Sequence, residues 1–205
     1  MKTKNILLLL VTIMVLVIVF YSFEGSHDQS SYITTIQKER EQKDNFMRTS
    51  KASPFAGKTD AFEPLRYYPP NTLYKVSASL TPIRDKKVVV LTTNDGKEER
   101  YLEYAYADFK LHGTANRLLI FEVIAMGPTR GKLFLPFGDE TSARETYGAG
   151  RYLDLVKTEG SNTITLDFNQ AYNPYCAYVD TYSCPLPPVG NLLQIPIEAG
   201  EKTFR

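Results

Sequence analysis

The sequence predicts a mainly β fold, a compact antiparallel sandwich or barrel, preceded by an N-terminal transmembrane helix and a stalk helix. From residue 61 onward, short alternating or β-branched segments are separated by turn residues, which is typical of an all-β domain. Residues 6–23 form an almost unbroken apolar run, and residues 32–49 show a helical pattern. We therefore expect four parts: residues 1–5, an anchor at 6–23, a tether and stalk at 24–60, and a globular domain at 61–205.

The apolar run predicts a membrane anchor because it carries polar atoms only at Thr12, Tyr21 and Ser22. A helix of this length rises about 27 Å, close to the hydrocarbon thickness of a bilayer. The alternative is a cleaved signal peptide, but the run lacks a small-x-small cleavage site at its end. We therefore expect an uncleaved, single-pass anchor.

The charges that flank the run predict its orientation. Lys2 and Lys4 precede it, and no further Lys or Arg follows until Lys38. Cationic side chains resist translocation, so we expect the N-terminus in the cytoplasm and the C-terminal domain outside it.

The overall composition excludes two classes of function. The 24 basic and 23 acidic residues give a net charge of +1, which offers no basic surface for nucleic acid. Two histidines and two cysteines do not form a ligand set with zinc spacing. We therefore expect no nucleic-acid partner, no metal site and no cofactor.

The stalk is predicted as a separate helix that begins after a polar tether. Residues 24–31 are small and polar, and the Ser31 hydroxyl can cap a helix that starts at Tyr32. Ser53, Pro54 and Gly57 end the helical pattern.

The rest of the chain is predicted to form strands joined by tight turns. Asn94, Asp95 and Gly96 form a strong hairpin signal, because all three tolerate positive φ. The predicted strands cover residues 73–80, 87–93, 98–111, 117–125, 132–137, 151–156, 163–168 and 191–197.

Two loop segments are unusually rich in polar side chains, tyrosine and glycine. They read PFGDETSARETYGAGRYLD (136–154) and DFNQAYNPYCAY (167–178), and the second continues into CPLPP (184–188). With Asn191 and the ending EAGEK (198–202), these segments resemble the domain-of-unknown-function 1684 family of bacterial and archaeal proteins, over about residues 31–202. Ala143 departs from the glycine expected in many relatives. The resemblance implies domain boundaries and no particular chemistry.

Residues 151–156 and 163–168 are predicted to pair as a hairpin. Side chains alternate between the faces of a strand. One face would be buried and carry Leu153, Leu155, Ile164, Leu166 and Phe168. The other would carry Tyr152, Asp154, Thr165 and Asp167. Arg151 falls on the buried face, where an unpaired charge is costly, so it needs Asp139, Glu140, Glu145 or a ligand anion as its partner.

These segments suggest a pocket that binds a small polar ligand. Its candidate residues are Asp139, Tyr147, Arg151, Asn169 and Asn173. The alternative is structural: Arg151 bonds a carboxylate, and the Asx side chains cap turns. The structural interpretation is favoured for these side chains, because ion-pair networks hold loops as often as they mark sites.

Catalytic constellations are sparse in this sequence. Asp154 and Asp167 share a predicted face and could act as paired carboxylates, although a solvated outer face also explains them. Cys176 could be a nucleophile, but nothing brings it to His112. The favoured function is therefore a membrane-tethered domain that binds a small polar ligand or an envelope partner without catalysis. The alternative is an envelope hydrolase that uses Asp, Tyr or Cys chemistry.

Cys176 and Cys184 are predicted to form a disulfide. They are the only cysteines, and the expected topology places both on the oxidising side of the membrane. Two buried free thiols, or one reactive thiol, are the alternatives.

Overall fold

The computed structural model describes residues 3–58, 62–158 and 160–204, and within the first helix it describes side chains at 10–14 and from 28 onward. The chain divides into two compact units, Met1–Arg40 and Glu41–Arg205. The elements are one helix, α1 (Thr3–Thr49), and seven strands: β1 (Lys75–Pro82), β2 (Val88–Thr92), β3 (Glu98–Leu111), β4 (Thr114–Val123), β5 (Leu133–Phe137), β6 (Arg151–Leu155) and β7 (Thr163–Asp167). The prediction of a mainly β fold is confirmed.

The predicted break between anchor and stalk is wrong, because α1 runs continuously from Thr3 to Thr49. Ser31 lies inside this helix, where its carbonyl accepts the Thr35 hydroxyl at 3.0 Å, so it caps no helix start. Of the predicted anchor, only the side chains at 10–14 are among those described. Within the described part of the chain, no helix is both long and apolar enough to cross a bilayer.

The strands form one antiparallel, curled sheet in the order β6-β5-β4-β3-β1-β7. The long strand β3 is central: β4 pairs along one edge, while β2 and β1 divide the other edge between them. The register of β3 against β4 shifts between Glu103 and Ala105, which is where β3 passes from β2 to β1. Such an irregularity increases local twist and helps a sheet to curl.

The predicted hairpin between β6 and β7 is wrong. β6 pairs with β5, with Leu153 opposite Leu135, and β7 pairs with β1, with Ile164 opposite Ala78. Each strand takes a partner distant in sequence, so β6 and β7 lie at opposite ends of the pairing order. The predicted buried face is nevertheless confirmed, because the buried side chains include Leu153, Leu155, Ile164, Leu166 and Phe168. Tyr152 and Asp167, which were expected on the other face, are buried as well.

The predicted strand at 191–197 is also absent from the described residues. A 3₁₀ turn covers Val189–Asn191, and the chain then forms an isolated parallel bridge between Leu192 and Gly138 instead of a strand, before it reaches Pro196, which has no N–H to donate. Asn191 is fully buried, and its side chain accepts from Leu119 N–H and donates to the Leu119 and Pro136 carbonyls. This segment is therefore held to the sheet by the Asn191 side chain and by backbone hydrogen bonds between residues 191–195 and 138–140, and not as a strand.

Both faces of the sheet carry a core. The larger core lies on the face of Leu153 and Leu166 and includes Phe109, Phe137 and Phe168. The second core consists of Leu91, Tyr101, Phe121, Phe134, Tyr152, Cys176 and Cys184. It forms because residues 172–185 fold back over the opposite face, which buries Tyr152 where alternation alone would leave it outside.

Candidate functional site

Arg151 is fully buried and is bound entirely by the protein. Its Nη2 donates to Asp139 Oδ2 at 2.9 Å and to the Ile197 carbonyl at 2.9 Å. Its Nη1 donates to the Ala199 and Glu201 carbonyls, and its Nε has no hydrogen-bond partner among the described residues. The predicted carboxylate partner is thus Asp139, and the guanidinium fixes the C-terminal segment to the sheet.

Asn173 and Asn169 belong to two other hydrogen-bond groups. Asn173 donates to Glu201 Oε1 at 2.9 Å and to the Lys202 carbonyl at 2.8 Å. Glu201 is completely buried and pairs with Lys43 at 2.8 Å. Asn169 accepts from Asn71 N–H at 2.8 Å and donates to the Asn71 carbonyl at 2.8 Å, which joins distant loops.

Tyr147 lies apart from these groups, beside the two cysteines. Its hydroxyl donates to Cys176 Sγ at 3.8 Å, and burial raises the pKa of Tyr147 to about 12. The five predicted site residues therefore do not converge on one pocket. Asp139 lines a small cavity of about 410 Å³, next to Ser142 and Gln194.

The predicted disulfide is not formed. Cys176 and Cys184 are both free and buried, and the Cys176 backbone N–H donates to Cys184 Sγ at 3.2 Å. The Cys184 thiol, together with the Tyr147 hydroxyl, lowers the pKa of Cys176 to about 7. The pKa of Cys184 is raised in turn, first by Cys176 and then by burial. The two thiols lie together in the second core without a covalent bond between them. His112 lies elsewhere, with its ring against Tyr74.

Asp154 and Asp167 both line a cavity of about 360 Å³. Each already accepts a hydrogen bond from the protein: Asp154 from the Tyr172 hydroxyl at 2.8 Å, and Asp167 from Asn169 N–H at 3.1 Å. The second bond caps a 3₁₀ turn at Phe168–Gln170. The two carboxylates therefore have structural partners as well as a shared cavity.

A concavity of about 820 Å³ lies on the sheet face of the second core. We call it the aromatic cavity. Its floor comes from neighbouring strands, where alternation directs one set of side chains to the same face. The floor residues are Glu99, Tyr101, Val123, Lys132, Phe134, Tyr152 and Asp154. The walls are the last turns of α1 and the segment after β7, with Lys43, Phe46, Met47, Tyr172, Tyr175, Tyr182 and Cys184.

The rings of the aromatic cavity pack against one another. Tyr101 stacks on Phe134 with centroids 5.3 Å apart, and Phe134 meets Tyr152 edge to face at 4.7 Å. Tyr152 meets Tyr172 at 5.8 Å, and Lys43 Nζ lies 4.8 Å from the Tyr172 centroid. This packing holds the floor in one arrangement, as expected of a largely preformed binding pocket.

Three of the five tyrosine hydroxyls of this cavity donate to protein acceptors. Tyr101 donates to Glu99 at 2.6 Å, Tyr152 to the Pro185 carbonyl at 2.6 Å, and Tyr172 to Asp154 at 2.8 Å. Burial is the main reason that the pKa of each of these three tyrosines is raised above its ordinary value. These three hydroxyls therefore stay protonated and are already bonded to the protein.

The sequence analysis missed the aromatic cavity as a unit. A local signal existed in the alternating pairs Glu99/Tyr101, Lys132/Phe134 and Tyr152/Asp154, each of which places an aromatic ring and a charge on one strand face. The signal does not show that the three strands lie together or that residues 172–185 cover them.

Comparison with known proteins identifies relatives without an assigned activity. Residues 60–202 match the family described as a protein of unknown function, DUF1684. An uncharacterised protein from Haloarcula marismortui, whose structure was solved in solution by NMR, is 39% identical. The match covers 86% of this chain and 97% of that chain, with a TM-score of 0.66. No curated protein matches the chain.

Proposed function

This chain belongs to the DUF1684 family of proteins of unknown function, and we propose that its β domain is a non-catalytic module whose ligand occupies the aromatic cavity. The observation that carries the proposal is the cavity itself, about 820 Å³ lined by a packed set of aromatic rings. Ligand sites are commonly concave, preformed and mostly apolar, with a few polar groups at their edges.

Two features favour binding over catalysis. A catalytic site needs a nucleophile, a base or an acid that points at a reacting atom. Here the hydroxyls of Tyr101, Tyr152 and Tyr172 already donate hydrogen bonds to protein acceptors. The predicted polar residues Asp139, Arg151 and Asn173 are likewise bonded within the protein, which supports their structural interpretation.

A hydrolase remains the second candidate, and one observation favours it. Asp154 and Asp167 line the same cavity of about 360 Å³, where paired carboxylates could act on water and substrate. The test is hydrolysis of p-nitrophenyl esters and phosphodiesters by the full chain. Activity that is lost in Asp154→Asn and in Asp167→Asn would establish the hydrolase, whereas equal background rates for all three proteins would remove it.

We further propose that the domain is tethered to a membrane, with its C-terminal part outside the cytoplasm. The support is the apolar run at 6–23 and the lysine bias before it. The full chain should stay with membranes through a carbonate wash, and a reporter fused after Arg205 should report an external location. Release by the wash, or a cytoplasmic report, contradicts the tether.

Binding is tested with a neutral fluorescent probe, N-phenyl-1-naphthylamine, titrated into the purified full chain. A protein-free preparation in the same buffer is the blank. We expect saturable emission with one site per chain, and weaker binding in Phe46→Gln and Tyr182→Gln, which change partly exposed cavity walls. Leu73→Gln is the matched control, because Leu73 is exposed and lies outside the cavity. Probe binding that is absent, or unchanged in both wall variants, contradicts the proposal.

A further inference from the structure

We propose that Cys176 and Cys184 bind one Cu(I) ion between their sulfur atoms. The proposal goes beyond the function assigned to the aromatic cavity and does not depend on it. It departs from the expectation of no metal site, because that expectation rests on the number and spacing of ligands that zinc needs, and Cu(I) needs fewer.

Two separate segments of the chain bring the thiols together. Cys176 lies in the 3₁₀ turn at Tyr175–Ala177. Cys184 is fixed to the turn between β2 and β3, because its N–H donates to Asn94 Oδ1 at 2.7 Å and its carbonyl accepts from Asn94 N–H at 3.0 Å. The Cys176 N–H then donates to Cys184 Sγ at 3.2 Å. The pair is therefore held in place by backbone and turn contacts before any ion binds.

A ligand set of two sulfur atoms favours Cu(I). Within residues 3–58, 62–158 and 160–204, no group of three or more Cys, His, Asp and Glu side chains is placed to hold a metal ion. Zinc takes four ligands, or three and an exchangeable water, and iron–sulfur clusters take four thiolates. Thiolate sulfur is a soft ligand that selects Cu(I), and this ion accepts two thiolates in a linear arrangement.

Each sulfur atom already has a hydrogen-bond donor that suits a thiolate. Binding releases the two thiol protons to solvent, so Cu(I) with two thiolates carries one net negative charge. A buried charge is costly unless hydrogen bonds compensate it. Here the Cys176 N–H donates to Cys184 Sγ at 3.2 Å, and the Tyr147 hydroxyl donates to Cys176 Sγ at 3.8 Å. These contacts stabilise the charged complex without a rearrangement of the chain.

The surroundings of the pair protect a bound Cu(I) ion and leave it a route of entry. Both cysteines are 6% exposed and belong to the second core, with Tyr101, Phe121 and Tyr152. An apolar shell of this kind limits the access of solvent to a metal. Cys184 also lines the aromatic cavity, so an ion can approach the pair from that side.

The test is competition for Cu(I) between the reduced full chain and the chelator bicinchoninate, without oxygen. Copper is supplied as Cu(I), so no electron is needed from the protein. We expect the chain to withdraw one Cu(I) per molecule. Cys176→Ser and Cys184→Ser should each abolish the withdrawal, whereas Met126→Leu, which removes an exposed sulfur elsewhere, should leave it unchanged. No withdrawal by the full chain, or withdrawal that survives the loss of either cysteine, overturns the proposal.

A second measurement needs no cysteine variant, so it holds even if those variants do not fold. Cu(I) should protect both Cys176 and Cys184 from iodoacetamide in the full chain, and excess chelator should restore labelling in peptide mass spectra. Labelling of the loaded chain at the rate of the copper-free chain overturns the proposal. Cysteines that stay unlabelled after the copper is removed and the chain is denatured would reveal an oxidised pair, which also overturns it.

Tyr147→Phe distinguishes a supported site from two thiols that merely lie close together. It removes the donor to Cys176 Sγ, and loss of such a supporting group should weaken Cu(I) binding about 10-fold without changing the stoichiometry. Tyr106→Phe is the matched control, because Tyr106 is a partly exposed tyrosine outside the second core. Equal affinity of Tyr147→Phe and the unchanged chain, or displacement of Cu(I) by equimolar Zn(II), overturns the assignment.

Discussion

Asp139 and Arg151 form an ion pair that is withdrawn from solvent, with 2.9 Å between Oδ2 and Nη2 and side-chain exposures of 1% and 0%. The pair does more than neutralise two charges. Asp139 Oδ1 also accepts from Ile197 N–H, while Arg151 donates to the Ile197 carbonyl. One strand end, one loop and the C-terminal segment are therefore joined at a single point.

Asp139→Ala should lower the free energy of unfolding by about 3–5 kcal/mol, because it leaves the Arg151 guanidinium buried without its counter-charge. Urea unfolding of the two proteins measures the loss. The control is Asp108→Ala, which breaks the exposed pair with Arg117 and should cost about 0.2–1 kcal/mol. Similar losses in both variants would contradict the role assigned to the buried pair.

Lys43 and Glu201 should be coupled in a double-mutant cycle. Lys43→Met leaves a fully buried carboxylate without its cation and should cost about 2 kcal/mol, less than for a fully buried pair because Lys43 is partly exposed. Combining it with Glu201→Gln should cost less than the sum of the single changes. Additive losses from urea unfolding would show that the two charges do not interact.

The thiol pair predicts a pH-dependent reaction. The pKa of Cys176 is lowered to about 7, chiefly by the neighbouring Cys184 thiol, and the thiolate is the reactive form. Alkylation by iodoacetamide should therefore rise as the pH increases through about 7, with Cys176 labelled before Cys184 in peptide mass spectra. Tyr147→Phe removes a donor to the Cys176 sulfur and should move the midpoint to higher pH. Denatured, unreduced protein in which neither cysteine takes label would contradict the free pair.

The protein should be more stable with glycine than with alanine at position 143. Ala143 has φ of 62°, a left-handed conformation that costs a residue with a Cβ about 1–2 kcal/mol. Glycine loses more backbone entropy on folding, so we expect Ala143→Gly to raise the free energy of unfolding by about 0.5 kcal/mol. Ala115→Gly, at an exposed position in β4, should lower it. A loss of stability in both variants would contradict this account of the loop.

The sequence by itself determined the features that depend on neighbours along the chain. Alternation placed Leu153, Leu155, Ile164 and Leu166 on the buried face, because successive side chains of a strand point to opposite sides whatever the strand pairs with. The cost of an unpaired buried charge showed that Arg151 needed a partner and included Asp139 among the candidates. The polar tether at residues 24–31 was misjudged, because a short polar pattern does not show whether a helix ends there, and α1 continues through it.

Only the tertiary structure decided which strands are neighbours and what covers them. The separation of β6 from β7 follows from pairing with β5 and β1, which no local pattern specifies. The aromatic cavity joins Lys43, Tyr101, Phe134, Tyr152 and Tyr182, residues spread over most of the domain. Judged from its own sequence neighbours, each of them is an ordinary surface or core residue. They become a site only because the sheet curls and residues 172–185 fold over its second face, where burial depends on contacts between distant segments.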